Sequence, residues 1–316
     1  MRLLCLSFTI VSCLLLGCGK PPQETFKIAI NPWPGYEFLH LAEHLGYFEV
    51  EDLPVELVPF GSLSDAQRAY IHGRVDGLAS TIIEAVQSQA LGGRPLKIVL
   101  VPDFSNGGDV IVASNLIDSM DSIEGVRVGC EIGSLGIYLL SRALEESGLS
   151  LDDIELVNVE QSNGARAMDN GDIDVFVTYP PISLEILKQP NRTIIFSSAE
   201  IPYEIVDTVA VAHDVLEKHP TFVSKLRNVW RKALEYTEKN PEQAYAIMAQ
   251  REGITSEEFQ EALGDLKIIG YEEQIDIFSK PGELDQQAKS VCEVLNRVDA
   301  IEYNCQELGL LTYRQQ

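Results

Sequence analysis

The chain has 316 residues, and 24 Lys plus Arg face 48 Asp plus Glu, a formal net charge of −24 at pH 7. That excess of acid excludes nucleic acid as a partner, because phosphate backbones require basic patches. A hydrophobic content of 45% is that of a globular chain, and past the first 17 residues no run reaches the roughly 20 apolar residues that cross a bilayer.

Residues 1–17 carry one positive charge, Arg2, and then the apolar run Leu3 to Leu16. The run is too short to span a membrane and reads as the core of a signal peptide. It ends in Leu15-Leu16-Gly17-Cys18, which resembles a bacterial lipobox. The resemblance implies cleavage before Cys18 and a diacylglyceryl group on its thiol. Residues 18–24, with Pro21-Pro22, read as a tether. The expected location is the periplasmic or cell-surface side, anchored to the outer or the cytoplasmic membrane.

Strands and helices then alternate. Phe26 to Ile30 is a β-rich run, Tyr36 to Leu45 has helical spacing, and Val55 to Phe60 is a second strand. Ser64 to His72 reads as a helix opened by Ser64 and Gln67. Gly77 to Ala79 leads into a helix from Thr81 to Leu91, and strands follow at Lys97 to Pro102 and Asp109 to Ser114. The pattern repeats with strands at Val126 to Cys130, Ile154 to Val159, Asp174 to Thr178, Thr193 to Ser197 and Thr208 to Ala212. Helices are expected between them, at Gly136 to Ser147, Asn163 to Asn170 and Ile182 to Lys188. From Asp214 onward the chain reads as mostly helical. Such an order predicts an α/β protein of two lobes, each a mostly parallel sheet flanked by helices. The expected division is 25–113 plus 210–316 for the first lobe and 114–209 for the second, joined by a two-strand hinge suited to closure.

Of the six cysteines, Cys130, Cys292 and Cys305 follow Cys18. Export permits disulfides, and Cys292 with Cys305 is the candidate pair. Cys130 lies in an apolar strand and reads as a buried thiol. No metal-ligand spacing is present in the sequence, and no cofactor is expected.

The opening IAINPWPGYEFLHLAEHLGYFE resembles the nitrate/sulfonate/taurine/thiamine-precursor class of ABC-importer binding proteins. Further segments are similar to that family in the same order: Phe60-Gly61-Ser62, His72-Gly73-Arg74-Val75-Asp76-Gly77, the loop Asp103 to Asp109, Gly133-Ser134, and Asn170 to Asp174. The resemblance implies a type II periplasmic binding fold, a small-molecule ligand in the cleft between lobes, an ABC permease as partner, and a monomer.

A cleft of this kind is lined by loops at strand ends and by helix N-termini. Trp33 suits stacking on a flat ligand, or packing within its own lobe. Tyr36 suits the cleft wall. Ser62, Thr81 and Ser134 suit either helix capping or a ligand oxygen. Glu84 lies one turn into its helix. Ser105, Asn106 and Asp109 belong to a glycine loop that lets backbone approach a ligand, with Asp109 also near the hinge. Tyr179 precedes Pro180-Pro181, where the family carries ligand-facing aromatics, and is expected to face Trp33. Asp207 precedes the return crossover as a second carboxylate. These loops hold Glu84, Asp103, Asp109 and Asp207 without Arg or Lys, which favours an amine, aminopyrimidine or aminosulfonate-like solute over a simple anion. Thiamine-pyrimidine-forming enzymes of this fold carry a cysteine-rich motif that the sequence lacks, so catalysis is not expected. The alternative to import is a sensing lipoprotein that signals to a membrane receptor.

Overall fold

The computed structural model describes residues 24–114, 117–309 and 311–314. The leader 1–17, the lipid site Cys18 and the tether as far as residue 23 lie outside the described residues. Among the described residues twelve strands are formed: β1 (Phe26–Ile30), β2 (Val55–Pro59), β3 (Gly77–Thr81), β4 (Leu96–Leu100), β5 (Asp103–Ser105), β6 (Val110–Ser114), β7 (Arg127–Cys130), β8 (Glu155–Asn158), β9 (Val175–Thr178), β10 (Arg192–Ser197), β11 (Asp207–Ala212) and β12 (Leu266–Ile268).

They build two five-stranded sheets with orders β2-β1-β3-β11-β4 and β10-β6-β9-β7-β8, and a two-stranded ladder of β12 with β5. The orders are equivalent. In each sheet four strands run one way, and the fifth, β11 or β6, lies antiparallel to both of its neighbours. The sheets are therefore mixed rather than purely parallel. Their odd strand is the one that the chain delivers as it crosses from one sheet to the other. β6 and residues 207–209 accordingly pair in the sheets opposite to those that boundaries at 113 and 209 would give them. An apolar run such as Val110 to Ala113 carries no mark of which sheet receives it.

Sequence explains the burial of these central strands. All six residues of β11 and all five of β3 are buried, as strands covered by helices on both faces must be. Small residues bring the two close, and a methyl on Gly77 would sit 2.7 Å from the Ala210 carbonyl. Helix Leu63–Ile71 is capped by Ser62, whose hydroxyl accepts from the Asp65 amide at 3.3 Å. The expected start at Ser64 falls two residues late. Ser62 has the extended backbone of a cap (φ −154°), whereas Ser64 already lies within the helix. Helix Ile82–Ala90 opens with a capping box of Thr81 and Glu84.

The family-like Gly-x-x-Asp segments are structural in both halves. Gly73 and Gly171 follow helices with φ of +66° and +71°, the left-handed ending that glycine permits. The amides of Asp76 and Asp174 then donate to the carbonyls of Lys27 near the start of β1 and Arg127 at the start of β7, at 2.7 and 2.9 Å. Both motifs thus set strand register away from the cleft.

The C-terminal helices complete the first sheet's layer. Helix Phe222–Lys239 buries Trp230 fully and bonds its indole to the Ile269 carbonyl at 2.9 Å. Helix Pro281–Arg297 packs against helix Ile82–Ala90 and also against helix Leu135–Glu146 of the second sheet. Cys292 and Cys305 are joined by a disulfide, and Cys130 is buried and free.

The disulfide spans 13 residues of sequence, and closing a loop of that length stabilises by about 3 kcal/mol in the chain-entropy account. Urea unfolding of a Cys292→Ser/Cys305→Ser variant is expected to show a stability lower by about that amount, with the cooperativity of the transition unchanged. An unchanged midpoint would remove the crosslink from the account of stability.

Candidate functional site

Strand direction decides which side chains meet. The parallel strands end at the edge between the two sheets, so the residues after β1, β2, β7 and β9 emerge there. The reversed strands β6 and β11 begin at that same edge. Asp109 just before β6 and Asp207 at the start of β11 therefore enter the space that the other loops surround. The resulting cavity is lined by Asn31, Trp33, Tyr36, Leu63, Thr81, Asp109, Leu135, Tyr179 and Asp207. It has about 10 Å³ of room, the space of about one water molecule.

The chemistry of the walls is acidic. Asp109 is 1% exposed, no donor meets its carboxylate oxygens with full hydrogen-bond geometry among the described residues, and the nearby Ser105 hydroxyl, which lowers its proton affinity, is shared with Ser198. Asp207 accepts from the Tyr36 hydroxyl through Oδ1, and it lies within hydrogen-bonding reach of Asp103. Asp103 is fully buried and accepts the Trp33 indole N–H at 3.3 Å. Only glycine fits beside that contact, because a methyl on Gly35 would fall 1.9 Å from Asp103 Oδ2. Burial raises the proton affinity of all three carboxyls. Asp103 is pushed up to about 7, while Asp109 and Asp207 are pushed well above the carboxylate range, with mutual repulsion adding to the effect. Tyr36 is held protonated by burial and by the facing Asp207.

The flat surfaces come from Trp33 and Tyr179, whose rings meet edge to face, 6.0 Å apart between centroids at 84°. Trp33 follows β1 of the first sheet and Tyr179 follows β9 of the second, so this contact joins the two halves across the cavity.

Two further carboxylates bridge the halves beside the cavity. Glu84, on helix Ile82–Ala90, accepts from the Thr81 amide at 2.9 Å and hydroxyl at 2.6 Å through Oε2, and from the Leu135 amide at 2.6 Å through Oε1. Glu131, after β7, reaches Ser62 and Ser64 of the first half and accepts from Ser134 Oγ at 3.2 Å. Burial raises both, Glu84 to about 7.

The crossing segments are tied to each other. Ser105 and Ser198 share a hydroxyl–hydroxyl bond of 2.8 Å, the Gly107 amide donates to Ser198 Oγ at 2.8 Å, and the Ser198 amide donates to the Asp109 carbonyl at 2.9 Å.

Of the residues that the sequence singles out, Trp33, Tyr36, Thr81, Asp109, Tyr179 and Asp207 come together around the cavity. Ser62, Ser134 and Glu84 are buried just outside it, in capping and bridging contacts. Ser105 belongs to the crossover tie. Asn106 is exposed, and its amide bonds to the Asp265 carbonyl at 2.8 Å; the glycine loop turns its side chain away from the cavity. Sequence reasoning missed Asn31, the first residue after β1, whose Oδ1 is buried without a partner among the described residues. It also passed over Glu131, in the matching position after β7. Strand-end position alone would have selected both. Among the described residues no cluster of His, Cys, Asp and Glu has the arrangement of a metal site, and no helix is long and apolar enough to cross a membrane.

Residues 33–244 match the family described as NMT1/THI5 like. The taurine-binding periplasmic protein of Escherichia coli is 24% identical over 168 residues, 52% of this chain and 51% of that protein. A Brucella abortus protein carrying a binding-protein name is 25% identical over 145 residues, 45% of this chain and 46% of that one. The chain thus spans about half the length of these curated relatives. The structure of the periplasmic aliphatic sulphonate binding protein SsuA from Escherichia coli superposes with a TM-score of 0.72 at 18% identity, covering 89% of this chain and 94% of that one. At that identity the likeness establishes the fold, that of the periplasmic binding proteins.

The raised carboxyls have a consequence for stability. A folded-state pKa above the unfolded value means that the folded chain keeps protons that the unfolded chain loses. The stability linked to Asp103 and Glu84 is full below pH about 4 and falls as pH rises through about 7. For each group, every tenfold gain in proton affinity on folding corresponds to about 1.4 kcal/mol of this pH-dependent stability. Asp109→Asn removes a buried charge of the same kind. Its urea midpoint without ligand is expected to exceed wild type at pH 8 and to approach it at pH 4. A variant less stable than wild type at pH 8 would contradict the assignment of Asp109 as an uncompensated charge.

Proposed function

This chain belongs to the NMT1/THI5-like family, and from that premise we propose that it is an extracytoplasmic solute-binding lipoprotein that delivers a small organic amine to an ABC permease. Cys18 carries the lipid anchor in this reading. The two sheets with their helices are the lobes, and the paired crossings at 101–109 and 198–206 are the hinge.

The observation that carries the ligand class is Asp109. Its carboxylate is buried, lines the cavity with Asp207 beside it, and among the described residues has only the nearby Ser105 hydroxyl, itself shared with Ser198, and no positive group to offset it. A buried charge is retained when something compensates it, and the missing partner is a cation. A protonated amine supplies N–H donors to Asp109 and Asp207. Trp33 and Tyr179 supply the ring faces that attract cations and flat heterocycles. Amines, aminopyrimidines and aminosulfonate-like zwitterions all satisfy this part of the site.

Room for about one water molecule means that such a solute enters only when the lobes part. Ligand then bridges Asp109 and Asp207 on the crossings with Trp33 and Tyr179 on opposite walls. Its higher affinity for the arrangement in which all four face it shifts the population toward closure. The closed surface is what the permease reads.

Thermal unfolding of the domain lacking residues 1–18 tests this reading, with aminopyrimidines, polyamines, taurine, ethanesulfonate and nitrate as the panel. A ligand at 100 times its Kd stabilises by about 2.7 kcal/mol. An amine or aminopyrimidine is expected to raise the midpoint. Trp33→Ala, Tyr179→Ala and Asp109→Asn are each expected to weaken its binding about tenfold or more, equivalent to about 1.4 kcal/mol, while each remains folded. Stabilisation by sulfonate or nitrate alone would keep the binding-protein reading and overturn the amine.

A further inference from the structure

Four helices begin at the rim of the cavity: Glu37–His44, Leu63–Ile71, Ile82–Ala90 and Leu135–Glu146. Helix N-termini present unpaired amides and partial positive charge, and they attract anions. The walls thus combine positive helix poles with buried carboxyls. Which sign of ligand the cleft accepts depends on whether the poles are free.

Among the described residues helix Glu37–His44 has no side-chain cap, only the acidic Glu37 in its first turn, whereas the other three poles meet the protein's own side-chain oxygens. Ser62 accepts from Asp65, and Thr81 accepts from Ile83 at 3.1 Å. The fourth helix differs. Ser134 stands at its N-cap without capping it, its hydroxyl turned to Glu131 at 3.2 Å, and no acidic residue lies in its first turn. Its first amide, on Leu135, instead donates to Glu84 Oε1 at 2.6 Å. Glu84 is fully buried, comes from the other half of the molecule, and is held from behind by the Thr81 amide and hydroxyl. Leu135 itself lines the cavity, together with Asp109, whose buried carboxylate oxygens meet no donor with full hydrogen-bond geometry among the described residues.

We infer that Glu84 is the charge-selectivity residue of the cleft: its carboxylate stands where an anionic ligand would meet helix Leu135–Glu146, so the site refuses sulfonates and nitrate and accepts a cation at Asp109. The inference rests on the reading of the chain as a solute-binding protein and narrows its ligand class. A sulfonate seated at helix Leu135–Glu146 needs the Leu135 amide free, and Glu84 occupies it, while Glu37 puts a negative charge in the first turn of the uncapped helix Glu37–His44. Amines and aminopyrimidines remain. Glu131 repeats the arrangement on the opposite wall, where it reaches across to the Ser62 and Ser64 hydroxyls at the start of helix Leu63–Ile71.

The test compares Asp109→Asn with Asp109→Asn/Glu84→Ala, so that the repulsion of Asp109 is absent from both. Ethanesulfonate is titrated calorimetrically into each, after circular dichroism and a cooperative melt have established folding. Ethanesulfonate is expected to bind the double variant at least about tenfold more tightly than the single variant, a difference of about 1.4 kcal/mol. Equal affinity, or absence of binding by both, overturns the inference, as does wild type binding ethanesulfonate as tightly as the double variant. Glu84→Gln in the same background removes the charge while keeping the shape, and it decides the matter if the alanine variant does not fold. Failure of the broader reading is seen separately: no amine or aminopyrimidine then shifts the melting of wild type.

Discussion

Three carboxyl groups, those of Asp103, Asp109 and Asp207, are buried together with no positive side chain among their described hydrogen-bond partners. Each belongs to a segment where the chain passes from one sheet to the other, or to the start of the strand that follows. Taking such charges out of water is costly. The surroundings offset that cost in part, through the Trp33 indole, the Tyr36 hydroxyl, the closeness of Asp103 to Asp207, and the positive ends of the surrounding helices. What is left uncompensated sits on Asp109. That is the ground for the proposed cationic ligand, and the acidity of the site originates in topology as much as in composition.

The topology works because each sheet takes one strand from the crossing chain and lays it antiparallel between two neighbours. A purely parallel sheet would send only strand C-termini to the shared edge. The reversed β6 and β11 add two strand N-termini there, and the residues at those two positions are Asp109 and Asp207. The crossings are short and tied by Ser105 and Ser198. If the lobes part as proposed, these segments bend and carry the carboxylates with them. In the proposed reading, ligand binding and hinge geometry act through the same residues, with no separate transmission pathway required.

Much of this was legible in the sequence, for definable reasons. Alternating β-rich runs and helical periods gave the α/β class and nearly every strand, since β11 and β3 are continuous runs of small and β-branched residues. The aromatic pair and the aspartates stood out because they occupy strand ends. Other features depend on tertiary placement that no local pattern encodes. The run at β6 looks the same whichever sheet receives it. The short ladder of β5 and β12 joins segments more than 150 residues apart. Asn106 sits in an inviting glycine loop, yet the turn points it to solvent. Glu84 stands out in the sequence as an acid one turn into its helix and within reach of the cleft, but only the packing of the two halves reveals that its second oxygen meets the first amide of a helix across the interface. Asn31 was passed over because neighbouring Trp33 offered a stronger chemical signal.

If a cationic solute replaces protons on the buried carboxyls, binding and proton release are one event. The direct measurement is calorimetric titration at pH 7, in buffers of different ionisation enthalpy, with an amine that is itself fully protonated at that pH. Net proton release on binding is predicted, because Asp103, Asp109 and Asp207 give up protons when a positive charge arrives. Binding accompanied by no release, or by proton uptake, would contradict it.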